Sequence, residues 1–143
     1  MAELYPDAGI WPQNKDARAI ARAVSAEMHG GFGALRTHMA MDLQTQRHEE
    51  GPEKMKQPGV TENIKRITDI WEDCRDRFGA DGDFLFGTFG AADFMFAPVV
   101  TRFQTYGVPL PPVCQAYAEA VRETPEMREW TDGALAEPAF SET

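Results

Sequence analysis

The sequence predicts an all-α protein, a five-helix bundle, on three observations. Apolar side chains recur at spacings of three and four along five stretches of the 143-residue chain, the period of a helix with one buried face. No segment alternates apolar and polar residues between hairpin turns, and no strand, helix, strand unit is visible, so a sheet has nothing to form from. A chain of this length buries roughly two thirds of its unfolded surface around one core, so stapling by disulfide or metal is unnecessary.

Residues 1–14 read as a linker, with Trp11-Pro12 keeping the chain extended before the first helix. From Lys15 the apolar stripe runs through Ala17, Ile20, Ala21, Val24, Met28, Phe32, Leu35 and Met39, which predicts one long helix. Asn14 supplies an N-cap oxygen and Asp16 complements the positive end of the dipole. Gly30, Gly31 and Gly33 each cost about 1 kcal/mol relative to Ala in a helix, so a bend or a close backbone approach is expected there.

Residues 40–59 hold few apolar side chains and no period, and are expected to be a long, mobile connection. Periodicity resumes at Thr61 with Ile64, Ile67, Ile70, Trp71, Cys74 and Phe78 on one stripe. Gly79 is expected to stop this helix in the left-handed conformation. After the strip Phe84-Leu85-Phe86-Gly87, a stretch from Ala91 to about Tyr106 is apolar nearly all round, as a central helix must be. Two helices close the 15–136 domain. One runs from Pro111 to Arg122, and the other from Pro125 to Leu135, capped by Thr124. Residues 137–143 read as a frayed tail.

Composition narrows the function classes. A formal charge of -9 repels phosphate backbones and anionic lipid, so neither nucleic acid nor a membrane is expected as a partner. The most apolar stretch, Phe84 to Val100, is broken by Gly87, Gly90, Asp93 and Pro98 and falls short of the ~20 apolar residues a membrane helix needs. The first residues lack a basic segment followed by an apolar one, so no secretory signal is read. With only Cys74 and Cys114, there is no disulfide framework and a reducing cytoplasm is expected.

Motifs for chemistry are sparse. His29, His38 and His48 stand in no HExxH pattern and at no ligand spacing with a cysteine, so no metal is expected. Gly30-Gly31-Phe32-Gly33 lies inside a helical pattern and does not follow a strand, which excludes a nucleotide-binding loop. Cys74 sits on an apolar stripe as a buried, inert thiol; the setting of Cys114 in Pro-Pro-Val-Cys is open. On spacing alone, His29 is an ordinary helix-face or core histidine.

The run Leu4-Tyr5-Pro6-Asp7, Ile10-Trp11-Pro12, Ala17-Arg18-Ala19, then Ala26-Glu27-Met28-His29-Gly30-Gly31-Phe32-Gly33-Ala34-Leu35-Arg36 resembles the start of the C-terminal helical domain of bacterial glutathione S-transferases. Phe84-Leu85-Phe86-Gly87, Ala92-Asp93 and Ala97-Pro98-Val99-Val100-Thr101-Arg102-Phe103 resemble that family's central helix and its lead-in, and Pro125, Met127 and Trp130 resemble its last helices. The likeness covers nearly the whole chain except the 40–59 connection. The family's central helix carries a Ser or Thr cap three residues before an Asp. Here the pair is Gly90 and Asp93, so Asp93 is expected to be structural, accepting from the Gly90 N–H.

What the resemblance implies follows residue by residue. The segment Glu27-Met28-His29-Gly30-Gly31-Phe32 resembles the beta-class Glu-Leu-His-Lys-Gly-Phe pattern, with Gly30 in place of the lysine. It assigns His29 to glutathione binding. The likeness places Phe32, Arg36 and Arg102 in the substrate pocket, and Arg102, where some relatives carry an aromatic, points to a polar or anionic electrophile. A histidine at the corresponding place also resembles the zeta-class maleylacetoacetate isomerases. Glutathione is the implied co-substrate, with no metal and no catalytic residue in this half. The thioredoxin-like domain that ionises the thiol in this family, with its βαβ pattern and cis-proline, is not among these residues. The expected protein is thus the substrate-pocket half of a cytosolic detoxifying transferase or isomerase, completed by that domain or paired as a homo-oligomer through uncovered apolar surface. The alternative is a stand-alone, non-catalytic interaction module of the same fold.

Overall fold

The computed structural model describes residues 4–138; positions 1–3 of the expected linker and 139–143 of the expected tail lie outside the described residues. Helices are the only regular elements among them: a 3-10 turn at Pro6–Ala8, then α1 (Lys15–Gly30), α2 (Gly33–His38), α3 (Gly51–Met55), α4 (Val60–Phe78), α5 (Ala91–Thr105), α6 (Pro112–Arg122) and α7 (Pro125–Ala136). The fold is all-α, as expected. Seven helices stand where five were expected, because the first is broken in two and a short one forms inside the connection.

Asn14 Oδ1 accepts from the N–H groups of Asp16 and Ala17, both at 3.0 Å, and this opens α1 where its first donors need partners. The helix stops at Gly30. Gly31 donates to Glu27 O at 2.7 Å, and a Cβ at Gly31 would lie 2.6 Å from that oxygen, so only glycine fits. Gly30 and Gly33 have open space around them. The turn itself falls on Phe32, at φ 59. A left-handed non-glycine residue costs roughly 1–2 kcal/mol, but it drives the Phe32 ring into the core, and burying a phenylalanine returns roughly 1.5–3 kcal/mol. Core burial therefore outweighs helix continuity.

Helix α3 is too short to show a period. Its Gly51 packs end-on against the C-terminus of α5, where a Cβ would lie 2.0 Å from Tyr106 O. The connection that holds it is joined to α5 by Arg47 N donating to Thr105 O at 2.6 Å and by Thr105 Oγ1 donating to Asp42 O at 2.7 Å.

Helix α4 buries Val60, Ile67, Ile70, Trp71 and Cys74. Gly79 ends it at φ -91, outside the left-handed region, contrary to expectation. Its glycine is explained by contact: a Cβ would sit 2.6 Å from Arg75 O. The Arg75 guanidinium then gathers the following turn, donating to Gly79 O, Gly82 O and Phe84 O at 3.0, 2.7 and 2.5 Å.

Helix α5 is central, packed against α1 and α6, while α4 packs against α2, α3 and α6, and α7 lies on α6. Trp71 is the hub of the core, edge-on to Phe96, Phe103 and Tyr117 at centroid distances of 5.8, 5.6 and 4.8 Å. Such pairs add roughly 0.5–1.5 kcal/mol each beyond area burial.

Candidate functional site

The break between α1 and α2 positions the residues that the resemblance selected. His29, on the last turn of α1, is exposed. Below it, the Arg36 Nη2 from α2 donates to Met28 O, and to His29 O at 3.0 Å, satisfying carbonyls that the end of α1 leaves without partners. On the same turn Glu27 takes a bidentate pair from Arg66 of α4 at 2.7 and 2.9 Å. Those hydrogen bonds hold the Glu27 carboxyl below its ordinary range against the opposing effect of burial.

Arg102, on α5, is half-buried and donates through Nη1 to Met39 O at 2.5 Å. Its Nε is buried without a partner among the described residues. Burial pushes its pKa down, and the positive charge of Arg36 pushes the same way. Neither Arg36 nor Arg102 forms an ion pair with a described carboxylate. The break thus brings the Arg36 guanidinium to the backbone carbonyls of Met28 and His29 and within electrostatic reach of Arg102, while the His29 side chain is exposed on the same turn.

Phe32 is placed differently. Its ring is in the core, so it supports the break from behind and does not line an open surface. None of these four residues lines the larger openings. One is a groove of about 1260 Å³ between α2, the connection and α7, whose walls include His38, Met41, Tyr106 and Trp130. Another is a cleft of about 350 Å³ under residues 42–46.

The expectation for Asp93 agrees with the geometry. Its Oδ2 accepts from Gly90 N at 2.9 Å and its Oδ1 from Leu85 N at 3.2 Å. Burial pushes the Asp93 carboxyl up, and these two N–H groups only partly offset it. Tyr117 lies beside the same carboxylate, and its phenol is pushed far above the ordinary range, first by burial and then by that charge. The absence of a serine at position 90 has a reason: a Cβ there would lie 3.1 Å from Ile10 O. That carbonyl itself accepts from Ala91 N at 2.9 Å, so the segment before α1 supplies an oxygen to the start of α5.

Both cysteines are buried, and burial pushes both thiols up to about 12. They stay protonated near neutrality and are poor nucleophiles. Among the described residues no cluster of three or more potential metal ligands occurs, and no helix is long and apolar enough to cross a membrane.

Periodicity missed the 42–47 turn. Asp42 Oδ1 accepts from Gln44 N and Thr45 N at 2.9 and 3.0 Å, an Asx turn whose sequence signal, an aspartate two residues before a polar pair, was present.

No curated protein matches the chain. Residues 18–133 match the family described as glutathione S-transferase, C-terminal domain. That span runs from the first turn of α1 into α7, across every helix packed around Trp71, and on this evidence the chain belongs to the glutathione S-transferase C-terminal domain family.

Proposed function

We propose that this chain is the helical, substrate-pocket half of a cytoplasmic, beta- or zeta-like glutathione S-transferase. Completed by a thioredoxin-like domain, it would conjugate or isomerise small electrophiles with glutathione. The observation that supports this reading is the arrangement at the α1–α2 break: Arg36 holds the backbone carbonyl of His29, whose ring is exposed, and lies within electrostatic reach of Arg102, and neither cation has a carboxylate partner among the described residues. Unpaired arginines suit an anion, either a glutathione carboxylate or an electrophile with a carboxylate of its own. His29 serves as a glutathione-binding residue, a hydrogen-bond partner and not a base. Arg36 and Arg102 face the substrate, and Phe32 positions the break.

The thiolate belongs to the thioredoxin-like half, because no described group here holds a thiol ionised beside an electrophile. Positioning and thiolate stabilisation make up most of this catalysis. The face for that half, or for a second copy, is offered by Phe94, 62% exposed, which continues edge-on through Phe89 to Phe84 at 5.5 and 5.1 Å. Left uncovered, such a surface drives self-association.

The test is reconstitution. The bare chain shows no transferase turnover, and the chain joined to a thioredoxin-like domain binds glutathione in calorimetry. In that complete protein His29→Ala weakens glutathione binding by about 1–3 kcal/mol, the cost of a lost partly buried polar contact. Turnover by the bare chain, or indifference of glutathione affinity to His29, overturns the reading.

A further inference from the structure

The groove of about 1260 Å³ between α2, the connection and α7 is a different opening from the α1–α2 break, since none of His29, Phe32, Arg36 and Arg102 lines it. It exceeds the roughly 300–1,000 Å³ common for small-ligand sites, so it suits a length of chain better than one small molecule. Its outer wall is a single face of α7. Glu126, Glu129, Trp130, Gly133, Ala134 and Glu137 recur at intervals of three and four, the spacing that puts side chains on one side of a helix.

Two residues of this face work against the helix that carries them. Gly133 lies inside α7, where glycine is unfavourable, yet its φ is not left-handed and a Cβ there would meet nothing within 4 Å. Glu137 sets a carboxylate at the negative end of the helix dipole, with no basic residue in the last turn to offset it. Local choices that cost the fold without a return inside it are expected where something else must bind.

The charges of the groove indicate what binds. Its cations are already committed, Arg47 to Asp42 and Glu50 at 3.0 and 3.1 Å and Lys54 to Glu50 at 3.9 Å. Glu126, Glu129 and Glu137 form no ion pair with any described residue, and positions 139–143 carry no lysine, arginine or histidine. Between these carboxylates Trp130 is 41% exposed, and Met41, on another wall, is 38% exposed. A second copy of the chain, with its formal charge of -9, is repelled from such a face, whereas a basic segment is drawn to it. Trp130 offers a lysine or arginine both an apolar surface for its stem and a ring face for its charge.

We propose that this groove docks a lysine- or arginine-rich linear segment of a partner protein, its cations on Glu126, Glu129 and Glu137, its stems over Trp130 and Met41, and its backbone close against Gly133. From Glu126 to Glu137 the helix rises about 16 Å, the length of roughly five residues of extended chain. The surface is separate from the glutathione reading and stands or falls without it.

The probe is a capped heptapeptide, Lys-Leu-Lys-Gly-Lys-Leu-Lys, titrated into the full chain and followed by calorimetry and by the indole N–H signal of Trp130. Its glutamate analogue and spermine are the comparisons. The lysine peptide is expected to shift the indole signal saturably and to weaken as salt is raised, spermine to bind at least tenfold more weakly, and the glutamate peptide not to bind. Neutralising Glu126 and Glu129 together to glutamine should weaken the lysine peptide at least tenfold, while neutralising Glu62 and Glu72, exposed on α4, should leave it unchanged. Gly133→Leu favours the helix but fills the groove, so it should abolish binding with the far-UV signal retained. An unmoved indole signal, spermine or the glutamate peptide binding as tightly, equal loss from the α4 pair, or binding indifferent to the α7 pair or to Gly133→Leu overturns the proposal.

Discussion

The two ends of α5 are closed by opposite means. At its N-terminus the partners are neighbours in sequence: Asp93 receives the N–H groups of Gly90 and Leu85, three and eight residues away. At its C-terminus the partners come from far along the chain. Arg47 N and His48 Nε2 reach the carbonyls of Thr105 and Gln104 at 2.6 and 2.9 Å, and Met39 O lies 63 residues from the Arg102 that holds it. Both ends answer the same need, since the first donors and last acceptors of a helix have no partners within it. A cap built from neighbours forms as the helix forms, whereas a cap built from a distant strap also requires loop closure. The N-terminal end is therefore expected to be the stiffer, and the strap end the one that opens first.

The largest effect is expected at the local end. Asp93→Ala leaves two buried N–H groups without acceptors and should destabilise the fold by about 3 kcal/mol. Asp93→Asn removes a buried charge but keeps only one of the two acceptor oxygens and turns its NH2 toward the other N–H, so a loss of about 1–2 kcal/mol is expected, smaller than that of Asp93→Ala. Urea titration of the two variants separates capping from charge. If Asp93→Ala proves no worse than Asp93→Asn, the N-terminal end is not held by its cap.

At the strapped end the contributions are smaller and shared. Arg102→Met frees Met39 O but also removes a partly desolvated cation, so a loss of about 1–2 kcal/mol is expected. Thr105→Val, which cuts one tie to the strap, should cost about 1 kcal/mol. Hydrogen exchange at Gln44 through Gly51 should accelerate in both variants while that of Leu85 and Gly90 is unchanged. Acceleration spread evenly over the two ends would erase the contrast.

Acid should act on the two ends with opposite signs. The Asp93 carboxyl, raised by burial, binds its proton more tightly folded than unfolded, so its contribution to stability grows as pH falls from neutrality through its folded pKa. For Asp42, burial pushes the carboxyl up, but the Thr45 hydroxyl, Arg47 and the N–H groups of Thr45 and Gln44 outweigh it and hold it below 3.8. Its contribution is present above that value and is lost as pH falls through the lower folded pKa. Comparing urea midpoints of wild type, Asp93→Asn and Asp42→Asn from pH 7 to pH 3 checks this. Asp93→Asn should remove the gain on mild acidification, and Asp42→Asn should lessen the loss at the acid end.

The smallest effect is expected at position 90. Gly90→Ser offers the cap a hydroxyl worth a few tenths of a kcal/mol over glycine, but its Cβ meets Ile10 O at 3.1 Å. A destabilisation within about 0.5 kcal/mol is expected in thermal unfolding. A clear stabilisation would show that the segment before α1 yields easily.

What was legible in advance follows the same division. The stripe of α4, the extents of α6 and α7, the Asn14 and Thr124 caps and the Gly90–Asp93 pair were readable, because each depends on residues within a turn or two. The all-round apolar character of residues 91–106 marked α5 as central. The break at Phe32 was not readable, because the stripe runs on through Phe32, Leu35 and Met39 and only the core decides that this ring is worth a left-handed residue. Within the candidate site, the likeness selected His29, Arg36 and Arg102. Their arrangement could not be read, since Arg36 reaches back seven residues to His29 O and Arg102 is engaged by a carbonyl 63 residues away.

By itself the sequence determined the helical class, the buried stripes and the local caps, because helical period and capping are short-range and carried by side-chain type. The tertiary structure alone decided where the first helix breaks and that residues 39–51 tie down the far end of α5. It also decided which arginines lack carboxylates, since pairing, burial and close backbone approach depend on which distant segments meet.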